Sequence, residues 1–136
     1  MIVLIDTDVL IDTALNREPH VEAATQLLEA IESRRAKGFV AWHSLSNFYY
    51  LVSPAKGAYQ ARDFLSDLMQ FMDIAPATVE CFYAACKLPM SDFEDAMQVG
   101  AALSCGADII ATRNVHDYAR APIKATTPAT LIKELR

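Results

Sequence analysis

Carboxylates carry the chemical signal in this chain of 136 residues. The opening M-I-V-L-I-D-T-D sets Asp6 and Asp8 two positions apart behind the apolar run Ile2-Val3-Leu4-Ile5. Asp92 and Asp95 fall three apart in S-D-F-E-D-A-M-Q, and Asp117 lies in T-R-N-V-H-D-Y. No lysine or arginine adjoins Asp6, Asp8, Asp92 or Asp95 in sequence. Carboxylates gathered without basic partners resist mutual ionisation. A hard divalent cation, Mg²⁺ or Mn²⁺, relieves that repulsion, prefers oxygen ligands and supports phosphodiester hydrolysis. The opening doublet alone admits three readings: a nucleophile with its acid, a metal cradle, or an acidic helix cap.

The elements that must position these acids follow from hydrophobic periodicity. Short apolar runs alternate with long helical stretches, the pattern of a parallel sheet flanked by helices. Strands are expected over residues 2–5, 39–42, 72–75 and 108–112, with a weaker one over 123–125. Pro19 suits a first helical turn; Val21, Ala24, Leu27, Leu28 and Ile31 recur at helical spacing, and Arg34, Arg35 and Lys37 precede a closing Gly38. Residues 45–52 give a short helix stopped at Ser53-Pro54, where the next is expected to start and run through Phe64, Leu68 and Phe71. Further helices are expected over 78–87 and 128–135. Ser91 and Glu94 fit a capping box opening a helix through Ala96, Val99 and Leu103. In a parallel sheet the strands' carboxyl ends share an edge, so Asp6 and Asp117 converge there. Asp92 and Asp95 join them if the Ser91 helix packs with its N-terminus at that edge.

Ordinary roles compete with these. Asp92 and Glu94 could serve only the helix start, Asp8 could be a first-turn acid near Thr7, and Asp12 reads as solvated. Asp6, ending a core strand, and Asp95, past the cap beside Ala96 and Met97, have weaker excuses. His20 and His116 read as surface residues, and His43 as an ordinary polar contact.

Composition narrows the class. At 53% apolar and 21% charged, the chain reads as one globular domain spanning 1–136, without a membrane span or secretion signal, hence cytoplasmic. Cys81, Cys86 and Cys105 lack metal spacing and read as small buried apolar residues. The net charge of −5 argues against a broad non-specific nucleic-acid surface, though not against a cation-loaded nuclease.

Taken in order, L-I-D-T-D-V-L-I-D, D-F-E-D-A-M-Q-V-G-A-A-L and A-D-I-I-A-T-R-N-V-H-D-Y resemble the PIN domain, the small metal-dependent ribonuclease fold of VapC-like toxins. The resemblance implies a three-layer α/β/α fold with a central parallel sheet of 4–5 strands. It implies an RNA substrate, a homodimer and a cognate antitoxin. By position it makes Asp6, Asp95 and Asp117 the catalytic metal ligands, with Asp92 a further one, for Mg²⁺ or Mn²⁺. Thr7, Asn47, Thr112 and Asn114 become supporting polar residues and Arg113 the candidate RNA contact. One departure stands out: Asn47, in H-S-L-S-N-F-Y-Y, occupies the place of the glutamate usual on the helix after the second strand. An amide adds no charge, and Asp92 or Asp8 are the expected substitutes.

Two rivals remain at this level. The same departure fits a catalytically weakened PIN-like interaction module. V-L-I-D-T-D-V-L also resembles the haloacid-dehalogenase-type phosphatase opening, with Asp6 as nucleophile and Asp8 as acid; there the acidic pair should follow the strand-end hydroxyl, whereas D-F-E-D precedes Thr112.

Overall fold

A computed structural model describes residues 1–135. Five parallel strands, β1 (Ile2–Ile5), β2 (Lys37–Val40), β3 (Met72–Ile74), β4 (Ile109–Ala111) and β5 (Lys124–Thr126), form one sheet in the order β3-β2-β1-β4-β5. Seven helices connect and cover them: α1 (Thr7–Ala14), α2 (Val21–Glu32), α3 (Trp42–Lys56), α4 (Ala58–Leu68), α5 (Val79–Cys86), α6 (Phe93–Ser104) and α7 (Pro128–Glu134). The expected α/β/α architecture with a parallel sheet is the observed one.

Strand parity decides which face each side chain meets. Val3 and Ile5 of β1, with Ile109 and Ala111 of β4, enter a core shared with α1, α2, α3, α4 and α7. Leu4 and Ile110, one residue out of phase, enter a second core with Val99 and Ala102 of α6 and with Tyr118. Successive strand side chains point to opposite faces, so Asp6 and Thr112, the next positions in phase with Leu4 and Ile110, belong on the α6 side. The ladder continues into them: Asp6 N–H donates to Ala111 O at 2.9 Å and Thr112 N–H to Thr126 O at 2.9 Å.

The chain steps outward from β1 to β3, then crosses back to place β4 on the other side of β1. Beyond the carboxyl ends of β1 and β4 that reversal leaves a crevice, the usual ligand position in such sheets.

Several expected boundaries move. The second strand is Lys37–Val40, and Trp42 already belongs to α3. Helix α2 ends at Glu32, because Arg34 takes the left-handed exit at φ 63°. Gly38 is therefore a strand residue; a Cβ there would lie 2.9 Å from Ile31 Cδ1, so the α2–sheet contact needs glycine. Ser53-Pro54 does not stop α3, which runs to Lys56. Pro54 forgoes one hydrogen bond, to the carbonyl of the exposed Tyr50, where water can substitute. Gly57, at φ 94°, makes the break before α4 instead. No described cysteine is fully buried: Cys86 is exposed and Cys81 and Cys105 are half-buried, all as free thiols. Among the described residues no helix is long and apolar enough to cross a membrane.

Candidate metal centre

Asp6 is the hinge of the site. Its backbone is extended (φ −70°, ψ 152°), and its carboxylate closes the first turn of α1 by accepting from Thr7 N–H at 2.8 Å through Oδ1. Oδ2 accepts from Thr112 Oγ1 at 2.9 Å and from the Tyr118 hydroxyl at 3.0 Å. Donors from α1, the end of β4 and the 3-10 turn Val115–Tyr118 thus fix one carboxylate. Burial pushes its pKa upward against those hydrogen bonds.

Asp8 does more than serve a first helical turn. Asp6 caps α1, leaving Asp8 free to reach the segment after β4. Its Oδ2 accepts from Arg113 N–H at 3.3 Å and from Asn114 Nδ2 at 2.9 Å. Burial, then the Asp6 charge, push its pKa up to about 7. The β1–α1 and post-β4 segments are tied together through this second aspartate.

Asp95 arrives from α6. The cap of that helix is Asp92, one residue later than the expected Ser91, and its Oδ1 accepts from Asp95 N–H at 3.2 Å. Asp92 is thereby drawn into fixing the backbone of Asp95 and does not line the cleft. Asp95 Oδ1 lies 3.5 Å from the Tyr118 hydroxyl, whose proton goes to the nearer Asp6, so that phenol lies between Asp6 and Asp95. Burial raises the Asp95 pKa to about 6, assisted by the charges of Asp92, Asp6, Asp117 and Glu94. Asp117 stands exposed on the 3-10 turn outside the cleft, acting on Asp95 through its charge.

The cleft, of about 450 Å³, is lined by Asp6, Thr7, Asp8, Ile11, Arg17, Asn47, Tyr50, Leu51, Glu94, Asp95 and Asn114. Behind it a buried polar cluster joins three elements. Thr7 Oγ1 lies 2.8 Å from Ser44 Oγ, and Gln98 Nε2 lies 2.7 Å from Ser44 and 3.4 Å from Thr7. Thr7 therefore supports the site by fixing α1 against α3 and α6. Residue patterns alone miss Gln98, because polar residues on helices are ordinarily solvated; only packing shows it fully buried.

Glu94 is not the second half of a capping box. It reaches across the cleft instead, where Asn47 Nδ2 donates to its Oε1 at 2.8 Å. His43, half-buried in the first turn of α3, has its pKa lowered by burial, opposed by the charges of Glu94 and Asp6.

Asp12 is not solvated: it is 1% exposed, with Oδ2 at 3.1 Å from Arg113 Nε. Arg113, expected to face RNA, has that edge of its guanidinium turned to a buried acid. Neither Asp12 Oδ1 nor Arg113 Nε has a hydrogen-bond partner, so the compensation is the charge of Arg113 at ion-pair distance. Arg113→Leu is expected to cost about 3 kcal/mol, the lower end for breaking a buried ion pair because the Arg113 side chain is 30% exposed. Urea unfolding of Arg113→Leu, Asp12→Leu and the double variant checks this. The double should recover part of the loss.

The donor set is oxygen only, with three carboxylates whose charged forms are disfavoured by burial and, for Asp8 and Asp95, by neighbouring carboxylates. That suits a hard divalent cation. Among the described residues no group of three or more His, Cys, Asp or Glu is drawn together closely enough to hold a metal ion as the side chains stand. The Tyr118 hydroxyl has one proton to donate, and given to Asp6 at 3.0 Å it occupies a lone pair a cation would use.

A model of the PIN domain matches residues 2–116. The chain belongs to the PIN domain family. No curated protein sequence matches it significantly. Among solved structures it is similar to VapBC2 from Rickettsia felis bound to a DNA fragment of its promoter, at 17% identity and TM-score 0.73, over 93% of this chain and 98% of that one. DNA-bound VapBC from Salmonella typhimurium gives 15% identity and TM-score 0.71 over 94% and 98%. VapC20 of Mycobacterium tuberculosis, a toxin that cleaves the sarcin–ricin loop, gives 12% and 0.62 over 79% and 86%. Family membership removes the phosphatase reading of the opening. In this PIN domain Asp6 is held by three donors from separate elements, and Asp8 is turned toward Arg113 and Asn114.

Proposed function

We propose that this PIN domain is a Mg²⁺- or Mn²⁺-dependent endoribonuclease and the toxin of a toxin–antitoxin pair. It acts as a single domain over 1–136, as a cytoplasmic homodimer restrained by a cognate antitoxin. The observation that carries the reading is the placement of Asp6, Asp8 and Asp95 in one cleft at the sheet's reversal point, each with a raised pKa.

Asp6 and Asp95 would hold the cation, with Asp8 beside them and Asp117 adding charge from the rim. When bound, the ion supplies activation of water and neutralisation of charge on the phosphodiester. The chain's own residues do the positioning. Thr112, Tyr118 and Thr7 N–H orient Asp6, Asp92 orients Asp95, and Asn114 orients Asp8. Arg17, at the cleft wall, is the cation this reading assigns to an RNA phosphate.

Exposed apolar residues support protein partners. Trp42 is 64% exposed, and Phe82, Tyr83 and Phe93 form an exposed aromatic group with centroids 5.5–6.0 Å apart. Patches of this kind mark interfaces. The VapBC relatives are toxin–antitoxin structures, which supports assigning this patch and its surroundings to such contacts.

RNA cleavage measured with Mn²⁺, with chelator, and in Asp95→Asn tests the reading. Cleavage is expected only with Mn²⁺, and the variant should lose nearly all of it; equal cleavage by wild type and variant removes the assigned site. Asn47, an amide where an acid is expected, favours a second reading, a weakened interaction module. Wild-type protein that binds an antitoxin yet never cleaves RNA with Mn²⁺ selects that alternative.

A further inference from the structure

We propose that Glu94 supplies from α6 the carboxylate that α3 lacks at Asn47, with Asn47 serving as its positioning donor. The proposal rests on the reading of the cleft as a divalent-cation site. The two residues share the cleft wall with Asp6 and Asp95, and the Asn47 amide donates to Glu94 Oε1 at 2.8 Å. Being adjacent to Asp95 in the first turn of α6, Glu94 should point away from it, since neighbouring helical residues do not share a face. It nevertheless turns toward α3 and into the cleft.

Charge accounting favours a ligand over a surface tie. Glu94 forms no ion pair among the described residues; those found there join Arg113 to Asp12 and Lys124 to Glu134. Its negative charge instead bears on Asp95 and on His43, two groups already in or beside the cleft. An acid placed there without a cationic partner opposes the other carboxylates unless a cation joins them. The single Asn47 hydrogen bond leaves Glu94 Oε2 without a protein donor among the described side-chain hydrogen bonds. Asn47 itself contributes no charge, so the negative charge on this wall comes from α6, and α3 contributes the donor that aims it.

Glu94→Gln separates charge from geometry, because the glutamine carbonyl still accepts from Asn47. Mn²⁺ binding to the full chain, measured by calorimetry, compares wild type, Glu94→Gln, Asp95→Asn and Asn47→Glu/Glu94→Gln. Glu94→Gln is expected to weaken Mn²⁺ binding by about 10- to 100-fold, with a melting temperature in chelator equal to or slightly above that of wild type, because one repelling charge is gone. The double variant, returning the acid to α3, should restore most of the affinity. If Glu94→Gln binds like wild type while Asp95→Asn does not, the role of Glu94 is overturned and the cation site stands. If both bind like wild type, the cation reading falls and this proposal with it. A loss in Glu94→Gln that the double variant does not repair overturns the exchange between α6 and α3.

Discussion

Asp6→Asn is expected to lower cation-dependent RNA cleavage by about 10³-fold, the scale of losing one preorganised electrostatic group, while raising stability. The opposed directions follow from the hydrogen bonds. The carbonyl oxygen of the substituted amide can keep the bond from Thr7 N–H that closes α1. Its NH₂ group can then donate to the Thr112 and Tyr118 hydroxyls, which rotate to accept, because a hydroxyl both donates and accepts. The scaffold of the site survives, and the buried charge beside Asp8 and Asp95 is gone. Stability should rise by about 1 kcal/mol near neutral pH in chelator, the range typical of relieving a strained functional group. Thermal unfolding and a cleavage assay on the same preparation check both halves. An inactive Asp6→Asn that is also strongly destabilised contradicts this account, since it would make Asp6 a structural residue first.

Removing divalent cations is expected to leave a protein whose stability falls as pH rises from about 4 to about 7. The unfolded chain releases its Asp protons near 3.8, whereas Asp8 in the folded protein holds its proton to about 7 and Asp95 to about 6. Within that window the folded state binds more protons, so raising pH favours unfolding. The stabilisation is fully present below the unfolded value and is lost through the folded one. One group contributes at most about 1.4 kcal/mol per pH unit, on the order of 4 °C in Tm for a chain of this size. Saturating Mn²⁺ should raise Tm most at the alkaline end, because a cation binds the deprotonated carboxylates. Differential scanning fluorimetry across pH, with chelator and with Mn²⁺, reads both effects. A chelated protein that gains stability between pH 5 and 7 overturns the electrostatic account of the cleft.

Parts of this are legible from residues alone. The strand at residues 2–5 and its closing acid Asp6 stand out because a short apolar run ending in a carboxylate has few other meanings in an α/β pattern. The strand at 108–112 and the hydroxyl at Thr112 follow likewise, and parity places both side chains on one face. The start of α6 lies one residue later than its pattern suggests. Ser91 and Glu94 match a capping box in spacing, yet Asp92 caps better locally and Glu94 finds Asn47, 47 positions away in sequence. Ser53-Pro54 resembles a helix stop, but α3 packs Phe48 against Phe64 of α4 at 5.0 Å, and that packing outweighs one missing hydrogen bond.

The sequence by itself determined most of the strand and helix order, the family resemblance, and the expectation that Asp6, Asp95 and Asp117 meet across the chain, of which Asp117 stays outside the cleft. Those depend on local periodicity and on which residues end strands, which near neighbours record. Tertiary structure decided the surroundings of the other acids in and around the cleft. Asp8 joins the post-β4 segment, Asp12 is buried against Arg113, Asp92 closes α6, and Glu94 turns to Asn47. A carboxylate's role depends on which donors, cations and burial surround it. For Glu94 and Asp8 the partners lie 47 and 106 residues away in sequence. They meet only because β4 crosses back to lie beside β1.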